Sequence, residues 1–139
     1  MVIRVKPRLP PEKIHHPETS MNRNGLPESI RNSREFRLVY ERGQRYSTPY
    51  FNIFLLRTGS SEIRLGLTIT RKTGVAVVRN RCKRRLREIV RHYFNERRAD
   101  ARIDPGMDLV INARAPLPNA EYRQVDEAFR KLMDKVLGK

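Results

Sequence analysis

The sequence predicts a single α+β domain in which helices pack on one face of a small, mostly antiparallel four-stranded sheet, in the order α-β-β-(β)-α-β-α. Two observations favour this class. Segments whose apolar residues repeat every three to four positions alternate with segments whose apolar residues repeat every second position. The chain has 139 residues, which suits one domain with one core.

The first element is a short helix that begins after Asn32. Asn32 can cap the helix, and Glu35, three residues on, can reach back to complete a capping box. Phe36 and Tyr40 then fall on one helical face. Gly43 is expected to end the helix by adopting a positive φ. These signals predict a helix of roughly ten residues.

Two strands follow and are predicted to form a hairpin. Residues 46–57 alternate in the manner of a strand, with Pro49 near its start or at an edge. Residues 63–70 alternate more cleanly, after a turn at residues 58–61. One face of the hairpin is therefore core and the other is open. On the open face we expect Asn52, Phe54, Thr68 and Thr70.

The second helix carries the strongest signal in the chain, because residues 79–88 combine six cations with an apolar stripe. At 3.6 residues per turn, one arc is apolar and the opposite arc is polar. Like charges at helical spacing destabilise a helix by about 0.2–0.5 kcal/mol per pair, so a purely structural helix would mix in acids. A polyanionic partner would relieve that repulsion. The apolar arc contains Cys82, Leu86, Ile89, Val90 and Tyr93, and the opposite arc contains Asn80, Arg84, Arg87 and Arg91.

The remaining pattern predicts one more strand and one more helix. Residues 107–113 have three consecutive apolar residues at their centre, as a central strand would. Residues 122–136 are apolar at helical spacing. At the end of the second helix and in the segment that follows it, we expect Arg97, Arg98 and Arg102 to form a solvated face.

Charge and composition narrow the function. Lys and Arg number 30 against 15 Asp and Glu, a net charge of +15, and such an excess points to nucleic acid. The single cysteine, Cys82, excludes an internal disulfide and is expected to be a buried thiol. No segment approaches the roughly 20 apolar residues of a membrane span. The simplest interpretation is a cytoplasmic protein without a membrane partner.

The first 30 residues form a separate region. They contain five of the nine prolines and several cations, with no sustained periodicity. We therefore expect residues 1–30 to be a disordered basic extension and residues 31–139 to be the folded domain that binds nucleic acid. Met21 is a second candidate start.

Two other function classes remain open from the residues alone. A structural RNA-binding protein, of ribosomal or chaperone type, would have the same charge. A metal-dependent nuclease would need clustered carboxylates, and Asp100, Asp104 and Asp108 show no recognisable ligand spacing. We accordingly predict no metal site and no catalytic residue in the protein.

One stretch resembles a known family, the bacterial ribonuclease P protein subunit. The resemblance runs from about residue 32 to the C-terminus, and it includes the aromatic first helix with Gly43 beyond it. Its most specific part is Lys72-x-Gly74-x-Ala76-x-x-Arg79-Asn80-Arg81-x-Lys83-Arg84-x-x-Arg87.

The resemblance implies a partner role in a ribonucleoprotein enzyme. The family's protein assists a catalytic RNA, which uses Mg²⁺ held mainly by the RNA and removes the 5′ leader from precursor tRNA. It also implies a left-handed crossover between parallel strands and a protein that is monomeric apart from its RNA complex. Contact with the catalytic RNA would fall to Lys72, Arg79, Asn80, Arg81, Lys83, Arg84 and Arg87. Leader binding would fall to Phe36, Tyr40, Asn52 and Phe54.

Overall fold

A computed structural model of the protein describes residues 27–101 and 104–138, and within them three helices and one five-stranded sheet. Two short 3₁₀ turns, Arg71–Thr73 and Leu117–Asn119, precede the second and third helices. The predicted α+β class is confirmed. In chain order the elements are β1 Glu28–Ser29, α1 Ser33–Arg42, β2 Gln44–Ser47, β3 Phe51–Arg57, β4 Ile63–Thr68, α2 Ala76–Ala99, β5 Met107–Ala113 and α3 Tyr122–Leu137.

The strand order in the sheet is β1-β4-β5-β3-β2. The β2–β3 and β3–β5 pairs are antiparallel, and the β1–β4 and β4–β5 pairs are parallel. The predicted hairpin of β3 and β4 is wrong, because β5 lies between them. The reason is burial: Leu109, Val110 and Ile111 are fully buried, so β5 needs a strand on each edge and cover on both faces.

The sheet has five strands, one more than predicted. β2 presents mostly exposed side chains, so its sequence has no clean alternation. β1 has only two residues, and it lies inside the segment predicted to be a disordered extension. That prediction is corrected at its C-terminal end, since residues 28–29 pair with β4 and Ile30 is buried. Residues 1–26 lie outside the described residues.

The main core lies between the sheet and the two long helices. We call this side of the sheet the core face; it carries Phe51, Ile53 and Leu55 of β3. α2 and α3 cover it, and Phe129 of α3 packs in the same cluster. The predicted apolar stripe of α2 is confirmed, because each of its members is at most 3% exposed. The stripe therefore fixes which side of α2 faces solvent.

The first helix lies on the opposite side of the sheet, which we call the α1 face. Val39 is fully buried there against Ile30 and Val110, with Phe36 and Phe54 beside them. The prediction that all helices pack on one face is corrected accordingly. The physical reason is that side chains alternate along β5. Leu109 and Ile111 point to the core face, so the apolar Val110 points to the α1 face and must be covered there.

α1 begins and ends where the sequence predicted, but two of the contacts expected at its ends differ in the structure. Asn32 accepts a hydrogen bond from the Glu35 backbone N–H at 2.9 Å, as expected for a cap. The Glu35 carboxylate does not complete a capping box, because it pairs with Arg64 at 3.2 Å. Gly43 has φ −80°, so its role is spatial. A Cβ at Gly43 would lie 2.6 Å from the Val39 carbonyl oxygen.

The parallel strands β4 and β5 are joined through α2, so the crossover implied by the resemblance is present. Its left hand stays a prediction. Near the end of α2, Arg97 is buried, which corrects its predicted place on a solvated face. Its guanidinium binds the buried Asp104 at 2.7 Å, and it also donates to the Tyr93 hydroxyl and the Gly138 carbonyl. This network links the end of α2 to the segment before β5 and to the residue after α3.

Candidate functional site

Five cations of α2, together with the neutral Asn80 and with Lys72 in the turn before the helix, form an outward ridge. The ridge is defined here as these seven residues, which are the predicted catalytic-RNA set. The apolar stripe docks the other side of the helix, so these side chains are held at the surface. Arg79 and Lys83 are half-buried, and Arg79 donates to the Gly74 carbonyl at 2.8 Å. The exposed members are Lys72 in the turn before α2, and Asn80, Arg81, Arg84 and Arg87 on the helix.

Among the described residues, four arginines form ion pairs with carboxylates. Arg64, Arg97 and Arg130 hold carboxylates of other elements, and Arg91 pairs with Glu88 on its own helix. Among residues 27–101 and 104–138, no ridge member lies within salt-bridge distance of a carboxylate. No carboxylate of the described residues therefore neutralises the positive charge of the ridge.

Glu88 is the one acid within the cationic run, and it does not neutralise the ridge. Its carboxylate contacts Arg91 and His92, on the following turn of α2. The hydrogen bond from Arg91 lowers the pKa of Glu88. The acid therefore stays ionised and is bonded to the following turn, where it forms no ion pair with a ridge cation.

Cys82 lies directly beneath the ridge and is fully buried as a free thiol, as predicted. Burial raises the pKa of the thiol, an effect that outweighs the opposing charges of Arg81 and Arg85. A buried, protonated thiol is a poor nucleophile. Cys82 is therefore a packing residue.

The second candidate surface lies on the α1 face, beside the C-terminal end of α1. Tyr40 is 36% exposed, and its hydroxyl bonds the side chains of Thr68 at 3.2 Å and Asn112 at 3.0 Å. Its ring meets the Phe54 ring edge-on, with 4.9 Å between centroids. The guanidinium of Arg45 stands 6.0 Å from the Phe54 centroid. We call this group of aromatic and polar side chains the aromatic cleft.

A polar row forms one border of the aromatic cleft. Asn52 is opposite Asn112 in the β3–β5 ladder, and Thr68 is opposite Asn112 in the β4–β5 ladder. Among the described residues, Asn52 Oδ1 is the one buried side-chain oxygen or nitrogen without a hydrogen-bond partner. An unpaired buried acceptor costs stability, and because this oxygen is buried it is not presented to a ligand in this conformation.

Phe36 occupies a different position from Tyr40. Its ring lies over Gly66 of β4, where an added Cβ would come within 2.6 Å of two ring carbons. The absence of a side chain at Gly66 is therefore what allows the ring to rest on the sheet. The structure brings Tyr40, Phe54 and Asn52 together, and it places Phe36 one helical turn away towards the β1 edge.

Two residues of the aromatic cleft were missed by the sequence reasoning. Asn112 follows Val110 by two positions on β5, so strand alternation could have placed it on the α1 face. Arg45 lies in β2, a strand whose sequence has no clear pattern, and it had no signal of its own. Both add polar or cationic groups around the rings.

Carboxylates do not gather into a metal site in the part of the chain that is described. Residues 27–101 and 104–138 contain no group of three His, Cys, Asp or Glu side chains able to hold an ion. Asp104 binds Arg97, whereas Asp108 binds Arg64 on the α1 face. In the same residues, no helix has both the length and the apolar character needed to span a membrane.

The fold, the unpaired cationic ridge and the aromatic cleft define a basic RNA-binding α+β protein. A family model described as Ribonuclease P matches residues 26–137. The ribonuclease P protein component of Finegoldia magna is 36% identical over 110 residues, which cover 79% of this chain and 91% of the relative. The chain belongs to the ribonuclease P protein family.

Solved structures agree with this assignment. The ribonuclease P protein of Thermotoga maritima is 30% identical and superposes with a TM-score of 0.64, over 80% of this chain and 99% of that one. The Staphylococcus aureus protein has the same TM-score at 21% identity, which supports the fold alone. The predicted identity as a ribonuclease P protein subunit is confirmed, and a ribosomal or chaperone role is not favoured.

Proposed function

We propose that the protein binds the catalytic RNA of ribonuclease P through the ridge of α2 and the 5′ leader of precursor tRNA through the aromatic cleft. The RNA cuts the leader, and the protein contributes affinity and orientation. The proposal includes a cytoplasmic location and a protein that is monomeric apart from its RNA complex. The observation that carries it is the ridge, whose cations have no carboxylate partners within the described residues.

Phosphate binding explains why the ridge is rich in arginine. A guanidinium can donate two parallel hydrogen bonds to phosphate oxygens, which a lysine ammonium cannot do in the same geometry. Each phosphate that is neutralised releases counterions and adds affinity without regard to sequence. A helix held rigidly by a buried stripe presents these groups in a fixed array. This arrangement suits a structured RNA surface.

Stacking explains the aromatic cleft. Aromatic side chains bind single-stranded RNA with roughly 1–3 kcal/mol per stacked base, and they tolerate any base. Leaders differ between precursors, so tolerance of sequence suits this task. Tyr40 and Phe54 offer ring surface, while Arg45 adds a cation.

The proposal assigns the metal chemistry to the RNA. Mg²⁺ prefers several oxygen ligands in near-octahedral geometry. The described part of the chain gathers no carboxylate cluster that would provide them, and the cysteine beneath the ridge is buried. The described residues therefore offer no ligand set that fits a protein-held Mg²⁺ ion, and no step of the reaction is assigned to one.

Reconstitution tests the proposal. The purified chain should bind a bacterial ribonuclease P RNA and increase its Mg²⁺-dependent cleavage of precursor tRNA at low Mg²⁺, and it should cut nothing alone. Tyr40→Ala and Phe54→Ala should weaken binding of precursor tRNA more than binding of mature tRNA. Cleavage by protein freed of RNA, or equal losses for the two substrates, would contradict the corresponding part of the proposal.

A further inference from the structure

Two valines at the start of α2 are exposed although their side chains are apolar. Val75 and Val77 are 68% and 74% exposed, more than any other large apolar side chain in residues 27–101 and 104–138. The next valine, Val78, turns inward and packs against the main core. A single exposed apolar residue is ordinary, whereas two exposed valines on either side of one residue form a patch. We call Val75 and Val77 the valine pair.

Neither member of the valine pair favours the local structure. Val75 occupies the position that caps α2, and no side-chain hydrogen bond is made there. Ser, Thr, Asp or Asn at this position would accept a bond from a free N–H of the first turn and stabilise the helix. Val77 lies in that first turn, where branching at Cβ disfavours the helix relative to Ala or Leu. Both valines therefore lower helix stability, and neither packs in the core in return.

The backbone that carries the valine pair is ordered. Gly74, just before the pair, has a φ of 151°, a conformation that L side chains rarely adopt. The Gly74 N–H donates to the Arg71 carbonyl at 3.1 Å, and the Gly74 carbonyl accepts from the Arg79 guanidinium at 2.8 Å. The chain entering α2 is thus bonded both to the preceding turn and to the helix. A surface held in this way loses little conformational freedom when it binds a partner.

Uncompensated cations surround the valine pair. Arg71 and Lys72 lie in the turn before α2, and Arg81 follows Val77 by four residues on the same helical face. All three are exposed, and no carboxylate of the described residues lies within salt-bridge distance of them. The matching partner has negative charge beside an apolar surface. RNA offers both where an unpaired base turns its face outward next to the phosphates, which a regular duplex does not do.

We propose that the valine pair packs against an unpaired base of the catalytic RNA of ribonuclease P, while the neighbouring cations bind the phosphates beside it. This inference rests on the proposed function and adds an apolar contact to it. The catalytic RNA is the partner because Val77 lies on the same face of α2 as Asn80 and Arg81, so the valine pair continues the ridge. The aromatic cleft, by contrast, lies on the α1 face of the sheet.

Two double variants of the full chain and one control test this contact. Val75→Thr with Val77→Thr keeps the shape and the charge but replaces one methyl group of each valine with a hydroxyl. Val75→Ile with Val77→Ile keeps the apolar surface. Tyr122→Gln is the control, because it removes an exposed apolar side chain from α3. Affinity for a bacterial ribonuclease P RNA is measured over a range of salt concentrations, together with the melting temperature of each free protein.

The Thr variant should bind the catalytic RNA about tenfold more weakly at every salt concentration. Burial of one methyl-sized group contributes roughly threefold to fourfold in affinity, and two are lost. The slope of log affinity against log salt should not change, because every cation is retained. The melting temperature should not fall, since Thr can cap α2 where Val cannot. The Ile variant should bind at least as tightly as the unaltered chain, and the control should bind equally.

Other outcomes would contradict the contact and leave the proposed function standing. They are unchanged affinity of the Thr variant, a changed salt slope, or equal losses in the Thr and Ile variants. A loss confined to binding of precursor tRNA by the holoenzyme would assign the valine pair to the substrate. Binding to phosphatidylglycerol vesicles, or self-association, that the Thr variant loses while it keeps RNA affinity would assign the pair to lipid or to a second copy. If the unaltered chain does not bind the catalytic RNA, both proposals fail.

Discussion

Removing ridge cations should stabilise the free protein while weakening its binding to RNA. Arg81→Ala with Arg84→Ala eliminates three like-charge pairs at helical spacing, which are Arg81 with Arg84, Arg81 with Arg85, and Arg84 with Arg87. At about 0.2–0.5 kcal/mol per pair, the free energy of unfolding should rise by about 1 kcal/mol at low salt. The lost attraction between Arg84 and Glu88 offsets part of this gain.

Two assays on the same double variant measure the two effects. Urea denaturation at low ionic strength gives the change in the free energy of unfolding. The same change should raise the melting temperature in thermal unfolding by about 4 °C for a domain of this size. The slope of log affinity for the catalytic RNA against log salt should fall in magnitude by about 2, if each arginine contacts one phosphate. Added salt should reduce the stability gain, since it screens exposed charges.

Arg130→Ala is the matched control, because this arginine is held by Glu96 at 2.7 Å and by Asp126. It should lower stability by roughly 0.5–1 kcal/mol and leave the salt slope unchanged. The reasoning is refuted if the ridge variant is less stable than the unaltered chain, or if both variants change the salt slope equally. Either result would mean that carboxylate pairing does not distinguish structural arginines from binding ones.

Further predictions concern the packing that positions the site. Arg97→Ala leaves the buried Asp104 without its guanidinium and should cost about 3–5 kcal/mol in urea denaturation; a loss below about 1 kcal/mol would show that water replaces the pair. Gly66→Ala should displace the Phe36 ring, destabilise the protein by about 1–3 kcal/mol and weaken binding of the leader-bearing precursor. Unchanged binding of that precursor would mean that the Phe36 ring does not contact the leader. Tyr40→Phe should cost about 1 kcal/mol of stability and keep most leader affinity, whereas an Ala-like loss of affinity would assign the binding to the hydroxyl.

Local patterns determined the parts of the fold that were predicted correctly. The stripe of α2, the Asn32 cap and the apolar centre of β5 each depend on residues within a few positions of one another. The charge of the ridge could also be predicted, because a helix with one buried face must expose the rest. The availability of that charge could not be predicted, since it depends on where the carboxylates of other elements lie.

The errors arose where distant segments meet. The insertion of β5 between β3 and β4 is a non-local pairing that alternation within either strand does not specify. Burial of Arg97 depends on its ion pair with Asp104, a residue that lies beyond the end of α2. β1 contains only two residues, and so brief a strand has no periodicity to detect. These features could be identified only once the order of the strands in the sheet was known.

The most direct test of the central claim is to map which RNA lies beside the ridge. Val77→Cys places a thiol on an exposed position of α2 without removing a charge, and Lys131→Cys places one on the exposed side of α3. The native Cys82 is buried, so a cleaving reagent can be attached at the new thiol alone. A tethered hydroxyl-radical source at position 77 should cut the catalytic RNA at discrete sites in the reconstituted complex, and one at position 131 should not. Cutting from position 131 with none from position 77 would contradict the account.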